Sequence, residues 1–165
     1  MESSELATYR NYLGHFRRTL ERQCADLSPD QLATRAASPS TLSLLGLVRH
    51  MALVEQIWFR RALQGLTDEP KLFSDDADRD HEFNGFAGTA AEVEEAFAAW
   101  HDQIAQADTW LDTQDDGAMA DQVIYNSDGG KSSKRGILVH LIEEYARHCG
   151  HADLLRERID GRTDL

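Results

Sequence analysis

The segment STLSLLGLVRHMALVEQIWFRRAL, residues 40–63, is the most apolar stretch of the chain. Its apolar residues recur at intervals of three or four, which places one set of them on a single helical face: Leu47, Met51, Val54 and Trp58. A helix that is apolar over so much of its surface belongs in the middle of a core. The segment therefore predicts a central helix from about residue 40 to residue 64, with Gly65 as its stop.

Three further segments carry a helical pattern of the same kind. The first covers about residues 4–26, and its apolar stripe consists of Leu6, Tyr9, Leu13, Phe16 and Leu20. Another begins at Thr89, with Glu92 completing a capping box, and its stripe runs through Val93, Phe97, Trp100, Ile104, Ala107 and Leu111. The last spans about residues 132–160 and is closed by Gly161. Since no segment alternates with a period of two, we predict an all-α four-helix bundle.

Two long connections join these helices. Residues 66–88 are polar and acidic but contain Phe73, Phe83 and Phe86, which predicts a crossover that packs against the bundle. The loop before the last helix includes QVIY, residues 122–125, as a brief extended piece. We expect four antiparallel long helices in a single domain, residues 1–165, although two long connections also permit another order. Ser28 and Gln31 resemble a capping box and predict a short helix after the first long one.

The composition excludes several kinds of partner. A net charge of −12 over 165 residues, without a basic stripe, argues against nucleic acid. No run approaches the roughly 20 apolar residues that a membrane span needs, so no membrane partner is expected. Cys24 and Cys149 stand far apart and in no CxxC pattern, and the N-terminus lacks the pattern of a signal peptide. We therefore expect a cytoplasmic protein.

The last helix carries polar residues on its apolar stripe. Six residues share an arc of about 80° on a helical projection: Ile137, Leu141, Glu144, His148, His151 and Leu155. An uncompensated buried carboxylate costs several kcal/mol, so Glu144 needs a partner. Glu144 and His148 are spaced so that one helix can offer two ligands to one metal, although this spacing is more often a plain helix pair.

A third ligand has to come from another helix. His50 lies on the flank of the apolar stripe of the central helix, one turn from Leu47 and Val54. A lone histidine on an apolar face is usually a core residue whose hydrogen bonds are satisfied. Because the last helix independently carries unmatched polar groups, the two helices together predict a metal site.

These two segments, residues 40–63 and GILVHLIEEYARHCGHADLLRERIDG, residues 136–161, resemble the paired motifs of the DinB-like superfamily. They are most similar to its actinobacterial mini-circle-type branch of unknown function and to mycothiol-dependent maleylpyruvate isomerase. The resemblance covers nearly the whole chain, although the first and third long helices match only as bundle helices. It implies a four-helix bundle with a long crossover, which is often a homodimer and binds a divalent metal through three residues.

By this resemblance His50 supplies one metal ligand, and Glu144 and His148 supply the other two. Zinc is the first expectation and nickel the second, since imidazole and carboxylate ligands suit both. The implied activity is a metal-dependent S-transfer or isomerisation, in which a low-molecular-weight thiol such as mycothiol attacks a small electrophile. A metal would also compensate the charge of Glu144.

The residues beside the predicted site leave several roles open. His151 is a fourth ligand, a donor that holds a ligand or a substrate contact, and the last two are favoured because catalytic sites keep a position open. His140 is either a partly exposed helix histidine or, with His151, a carrier of a catalytic proton. Helix geometry turns Cys149 away from the ligand face, which indicates a packing role. Glu143 and Arg147 are predicted to form an exposed pair.

Two alternatives to an enzyme follow from the same residues. The first is a non-catalytic bundle of the stress response that binds a metal or a small molecule, and the second is a bundle that has lost its metal. A retained open coordination position favours the enzyme, whereas a closed set of four ligands that includes His151 favours the non-catalytic bundle.

Overall fold

Four long helices, joined by short helices and one small hairpin, make up the computed structural model, which describes residues 4–125 and 129–163. In chain order the helices are α1 Glu5–Cys24, α2 Pro29–Ala33, α3 Leu44–Glu55, α4 His81–Asn84, α5 Ala90–Leu111 and α6 Lys134–Asp160. The central helix α3 continues directly into wider π-helical turns, Gln56–Leu63. A 3-10 helix, Asp116–Ala120, precedes the antiparallel strands β1 Gln122–Ile124 and β2 Lys131–Ser133. The all-α prediction is confirmed.

The helix ends follow short-range sequence signals. Both predicted capping boxes form, Ser28 with Gln31 at α2 and Thr89 with Glu92 at α5. Gly161 ends α6 in the left-handed conformation that favours glycine. The predicted extended piece is strand β1, which ends one residue before Tyr125.

Two helices begin later than predicted, because serine side chains cap them. The central helix starts at Leu44 and not near residue 40, since the Ser43 hydroxyl accepts a hydrogen bond from the Gly46 amide. The last helix starts at Lys134 and not at residue 132, because Ser133 caps it in the same way and residues 131–133 form strand β2.

The order of the bundle differs from the predicted antiparallel arrangement, because α1 and α6 run in the same direction. Glu5 near the start of α1 bonds Arg135 at the start of α6, and the Gln23 carbonyl near the end of α1 accepts from Arg156 near the end of α6.

The pair α3 and α5 is also parallel. Arg49 in the first half of α3 interacts electrostatically with Glu92 in the first turn of α5. Phe59, late in the central helix, contacts Trp110 at the end of α5, with ring centroids 5.9 Å apart. The long crossover makes this possible, since it returns the chain to the same end of the bundle before α5 begins.

Helices α3 and α6 are antiparallel, and this pair positions the predicted site. The ring centroids of His50 and His148 lie 4.7 Å apart. Trp58, eight residues after His50, contacts His140, eight residues before His148, at the same centroid distance. The predicted ligands on the two helices therefore face one another.

The core contains a charged network that the apolar stripes did not predict. Arg17 donates to both oxygens of the fully buried Glu55, at 2.8 and 2.9 Å. The Tyr145 hydroxyl donates to Glu55 at 2.6 Å and accepts from the Trp100 indole at 2.8 Å. These bonds compensate the buried carboxylate and link α1, α3, α5 and α6.

The crossover packs against the bundle, as its aromatic residues predict. Phe73, Phe83 and Phe86 are partly buried against the core. Helix α4, which carries Phe83, lies on α3. No helix in residues 4–125 and 129–163 is long and apolar enough to cross a membrane.

Candidate metal centre

Helices α3 and α6 bring together the side chains of His50, Glu144 and His148. One ligand-type atom from each residue lies within 4.8 Å of the others. Glu144 Oε2 is 3.4 Å from His148 Nε2 and 4.0 Å from His50 Nε2. Two imidazoles and one carboxylate therefore converge on one centre, although His50 is more than ninety positions from the other two in the sequence.

The centre lies at the edge of the core. The side chains of His148, Glu144 and His50 are 10, 13 and 20% exposed, so solvent reaches only a small part of each. Burial above all, together with the charges of His50, His151 and Arg147, lowers the pKa of His148 to about 3. His148 is therefore a neutral imidazole near neutral pH, which is the form that binds a metal.

Glu82 is a neighbour of the centre that the sequence analysis missed. Its Oε1 lies 3.2 Å from His50 Nδ1, and its side chain is only 10% exposed. Because a carboxylate only accepts, His50 donates from Nδ1, and its Nε2 then has a free lone pair toward Glu144. Glu82 is one of several acids in the crossover, so no pattern in the sequence distinguished it.

His151 lies beside the centre and not in it. Its Nδ1 is 3.3 Å from His148 Nδ1, on the ring edge opposite to the nitrogen that faces Glu144. If His148 donates to His151 across this contact, His148 Nε2 carries a lone pair toward the centre.

His140 lies on the other side of Glu144. Its Nε2 is 3.7 Å from Glu144 Oε1, and its side chain is 38% exposed. Arg147 bonds the same oxygen at 3.2 Å. The predicted pair of Glu143 and Arg147 is thus wrong, because Arg147 turns to Glu144 and Glu143 lies 3.8 Å from His140.

Cys149 faces away from the centre. Its Sγ donates to the Phe16 carbonyl at 3.5 Å, between α1 and α6. Burial raises the pKa of this thiol to about 12. These contacts agree with the packing role predicted for it.

A cavity opens beside the centre. It measures about 260 Å³ and is lined by Trp58, Tyr125, Ser132, Gly136, Ile137 and His140. Tyr125 also lines a larger cleft of about 620 Å³ together with Ile57, Arg61, Gly65, Thr67, Lys71 and Ile124. His140 lines the cavity and its Nε2 lies 3.7 Å from Glu144 Oε1, so this histidine connects the cavity with the centre.

The three residues fit a divalent metal of the zinc type. The donor set of two imidazoles and one carboxylate is one that zinc binds in catalytic sites. The tautomer of His50 set by Glu82 and the neutral state of His148 leave nitrogen lone pairs available. A metal held by these three side chains would keep a coordination position for a further molecule.

Comparisons with known proteins bear on this arrangement. The family model described as Mycothiol-S-transferase matches residues 8–161. A crystal structure of a conserved protein from Enterococcus faecalis superimposes with a TM-score of 0.71 at 18% identity, covering 97% of this chain and 99% of that one. At this identity the similarity shows a shared fold. A comparison with curated proteins gave no match.

Proposed function

The chain belongs to the mycothiol S-transferase family, and we propose that it joins a low-molecular-weight thiol, mycothiol or a close equivalent, to a small electrophile at the candidate metal centre. The family is DinB-like, which confirms the resemblance at the level of the superfamily. The mini-circle-type branch and the similarity to maleylpyruvate isomerase stay predictions. The observation that supports the proposal is the convergence of His50, Glu144 and His148 in a chain of this family.

In this proposal the three side chains hold a divalent metal, with zinc expected before nickel. Such a metal, when bound, favours the ionised form of a coordinated thiol near neutral pH. The Glu144 carboxylate offsets part of the metal charge, and its own burial is then compensated. The ring nitrogens of His50 and His148 that face Glu144 supply the lone pairs.

The neighbouring histidines suit the movement of the thiol proton. His140 borders both Glu144 and the cavity and is partly exposed, so it can take a proton near the reacting thiol and pass it to solvent. His151 orients His148 through the ring contact. In the reaction the sulfur forms a bond to the electrophilic carbon, the thiol proton leaves through His140, and the electrophile takes the electron pair as a leaving group or on an atom that is then protonated.

The cavity and the adjoining cleft give the two substrates room. Trp58 and Tyr125 offer aromatic surface to an apolar electrophile near His140. Arg61, Thr67 and Lys71 in the larger cleft offer hydrogen-bond donors to the polar part of a thiol. Tyr125 lines both spaces, so the two substrates can meet at this residue.

Two non-enzymatic alternatives are compatible with the same fold. A non-catalytic metal- or small-molecule-binding bundle, or one that has lost its metal, has the same fold. Within the described residues His151 is not part of the three-residue cluster, and this favours a centre with an open position. Association into a homodimer stays a prediction from the resemblance.

The experiment is a conjugation assay on protein purified without a histidine tag. Metal content is measured first, and mycothiol is then offered with an aryl halide electrophile, with and without a chelator. The proposal expects turnover that the chelator abolishes and added zinc restores. Turnover that is unaffected by the chelator would contradict the metal mechanism, and tight metal binding with no activity toward any thiol would favour the non-catalytic bundle.

A further inference from the structure

The crossover is held to α3 by one arginine next to the candidate centre. Arg49 Nε donates to the Glu82 carbonyl at 2.9 Å, and its Nη2 donates to the Gly85 carbonyl at 3.2 Å. The guanidinium also lies over two crossover rings, 4.3 Å from the Phe73 centroid and 5.1 Å from the Phe86 centroid. Arg49 is only 4% exposed. The backbone position of Glu82 is therefore set from α3.

His50, the residue after Arg49, contacts two side chains of the same crossover segment, Glu82 and Phe83. The Glu82 carboxylate bonds His50 Nδ1 at 3.2 Å, and the Phe83 ring stacks on the His50 ring at 5.1 Å between centroids. Carboxylate and ring thus hold the imidazole from its edge and from its face. His50 keeps its other nitrogen, Nε2, for Glu144.

A glycine on α3 makes this close approach possible. A Cβ added to Gly46 would lie 2.9 Å from Phe83 Cδ1, closer than real Cβ atoms approach a ring carbon. The absence of a side chain at Gly46 lets Phe83 reach the face of His50 one turn later on the same helix.

We propose that Glu82 is a positioning residue of the metal centre, which fixes the tautomer and orientation of His50 through Nδ1 so that Nε2 faces the metal. This rests on the metal centre of the proposed function and not on its thiol chemistry. Histidines that bind metals usually donate their other ring nitrogen to a carboxylate or carbonyl, and loss of that partner typically weakens metal affinity about 10- to 100-fold. Arg49 acts one step further away, since it places the backbone that carries Glu82.

The test is zinc affinity of the purified apoprotein, measured by competition with a chromophoric chelator. Glu82→Ala removes the acceptor, so its zinc dissociation constant should rise about 10- to 100-fold. Glu82→Gln keeps an amide oxygen that can accept from Nδ1 but lacks the charge, so its affinity should lie between those of the wild type and Glu82→Ala. Asp80→Asn is the matched control, because Asp80 lies in the same segment and its side chain does not cap α4.

The melting temperature of each apoprotein separates positioning from a merely structural role. A structural anchor would lower the apoprotein melting temperature in Glu82→Ala and leave the zinc affinity of the folded protein unchanged. That outcome overturns the proposal, as does equal zinc affinity for Glu82→Ala and Asp80→Asn. A wild type that binds no zinc would instead refute the metal centre itself, so the two failures are distinguishable.

Discussion

Replacing His50 with alanine should abolish most of the stabilisation that zinc gives to this fold. His50 lies on α3 and the other two ligand-type residues on α6, so only the folded chain brings all three together. A metal that binds the folded state stabilises it by RT ln(1 + [L]/Kd), which is about 4.1 kcal/mol when free zinc is at 1,000 times Kd. For a chain of this size each kcal/mol shifts the melting temperature by about 2 to 4 °C, so zinc should raise it by roughly 8 to 16 °C.

The variant retains two ligand-type residues on neighbouring turns of a single helix. If its affinity is 100-fold weaker, the same free zinc is only 10 times Kd, and the stabilisation falls to about 1.4 kcal/mol, or roughly 3 to 6 °C. The assay is differential scanning fluorimetry of wild type and His50→Ala in a metal buffer that fixes free zinc, with apoprotein as the baseline.

Surface histidines also bind zinc weakly, so the assay needs a histidine control. His101→Ala serves, because His101 is half exposed and pairs with Glu21 away from the candidate centre. It should retain the full zinc-induced shift. An equal shift in His50→Ala and His101→Ala would refute the reasoning, since the metal would then bind somewhere else.

Three further predictions concern stability and the role of the cysteine. Arg17→Met leaves the buried carboxylate of Glu55 without its main partner, so unfolding should become easier by about 3 to 5 kcal/mol, and the melting temperature should fall by roughly 6 to 20 °C by circular dichroism; a loss no greater than in the exposed neighbour variant Arg18→Met would contradict this. Hydrogen bonds from the backbone of Thr89 and Ala87 lower the pKa of Glu92 from 4.5 to about 2, so its stabilisation is complete above pH 4.5 and is lost as the pH falls toward 2. Glu92→Gln should therefore melt below the wild type at pH 7 and together with it near pH 2, and a gap that widens in acid would show the sign to be wrong. Cys149→Ala should leave thiol conjugation largely intact, because the Cys149 thiol is hydrogen-bonded to the Phe16 carbonyl and its pKa is raised to about 12. Loss of turnover in this variant with unchanged metal content would indicate that Cys149 is itself the nucleophile.

The helices and their ends could be predicted from short-range patterns. The apolar stripes placed the four long helices, and the capping boxes at Ser28 and Thr89 and the stop at Gly161 were all found where the residues indicated. The same periodicity brought Glu144 and His148 to one face of α6. These features depend on residues within one or two turns of each other, so the local sequence contains the information.

The direction of the helices and the contacts between them were decided by the tertiary structure. The parallel pairs α1 with α6 and α3 with α5 depend on the path of the crossover, which apolar stripes do not report. The Arg17–Glu55 pair and the bond from His50 to Glu82 each join residues more than thirty positions apart. Sequence by itself determined which apolar side chains of the long helices face inward, because helical periodicity is local. Only the packed structure decided which of them meet, because that depends on the direction, register and separation of helices that are distant in the chain.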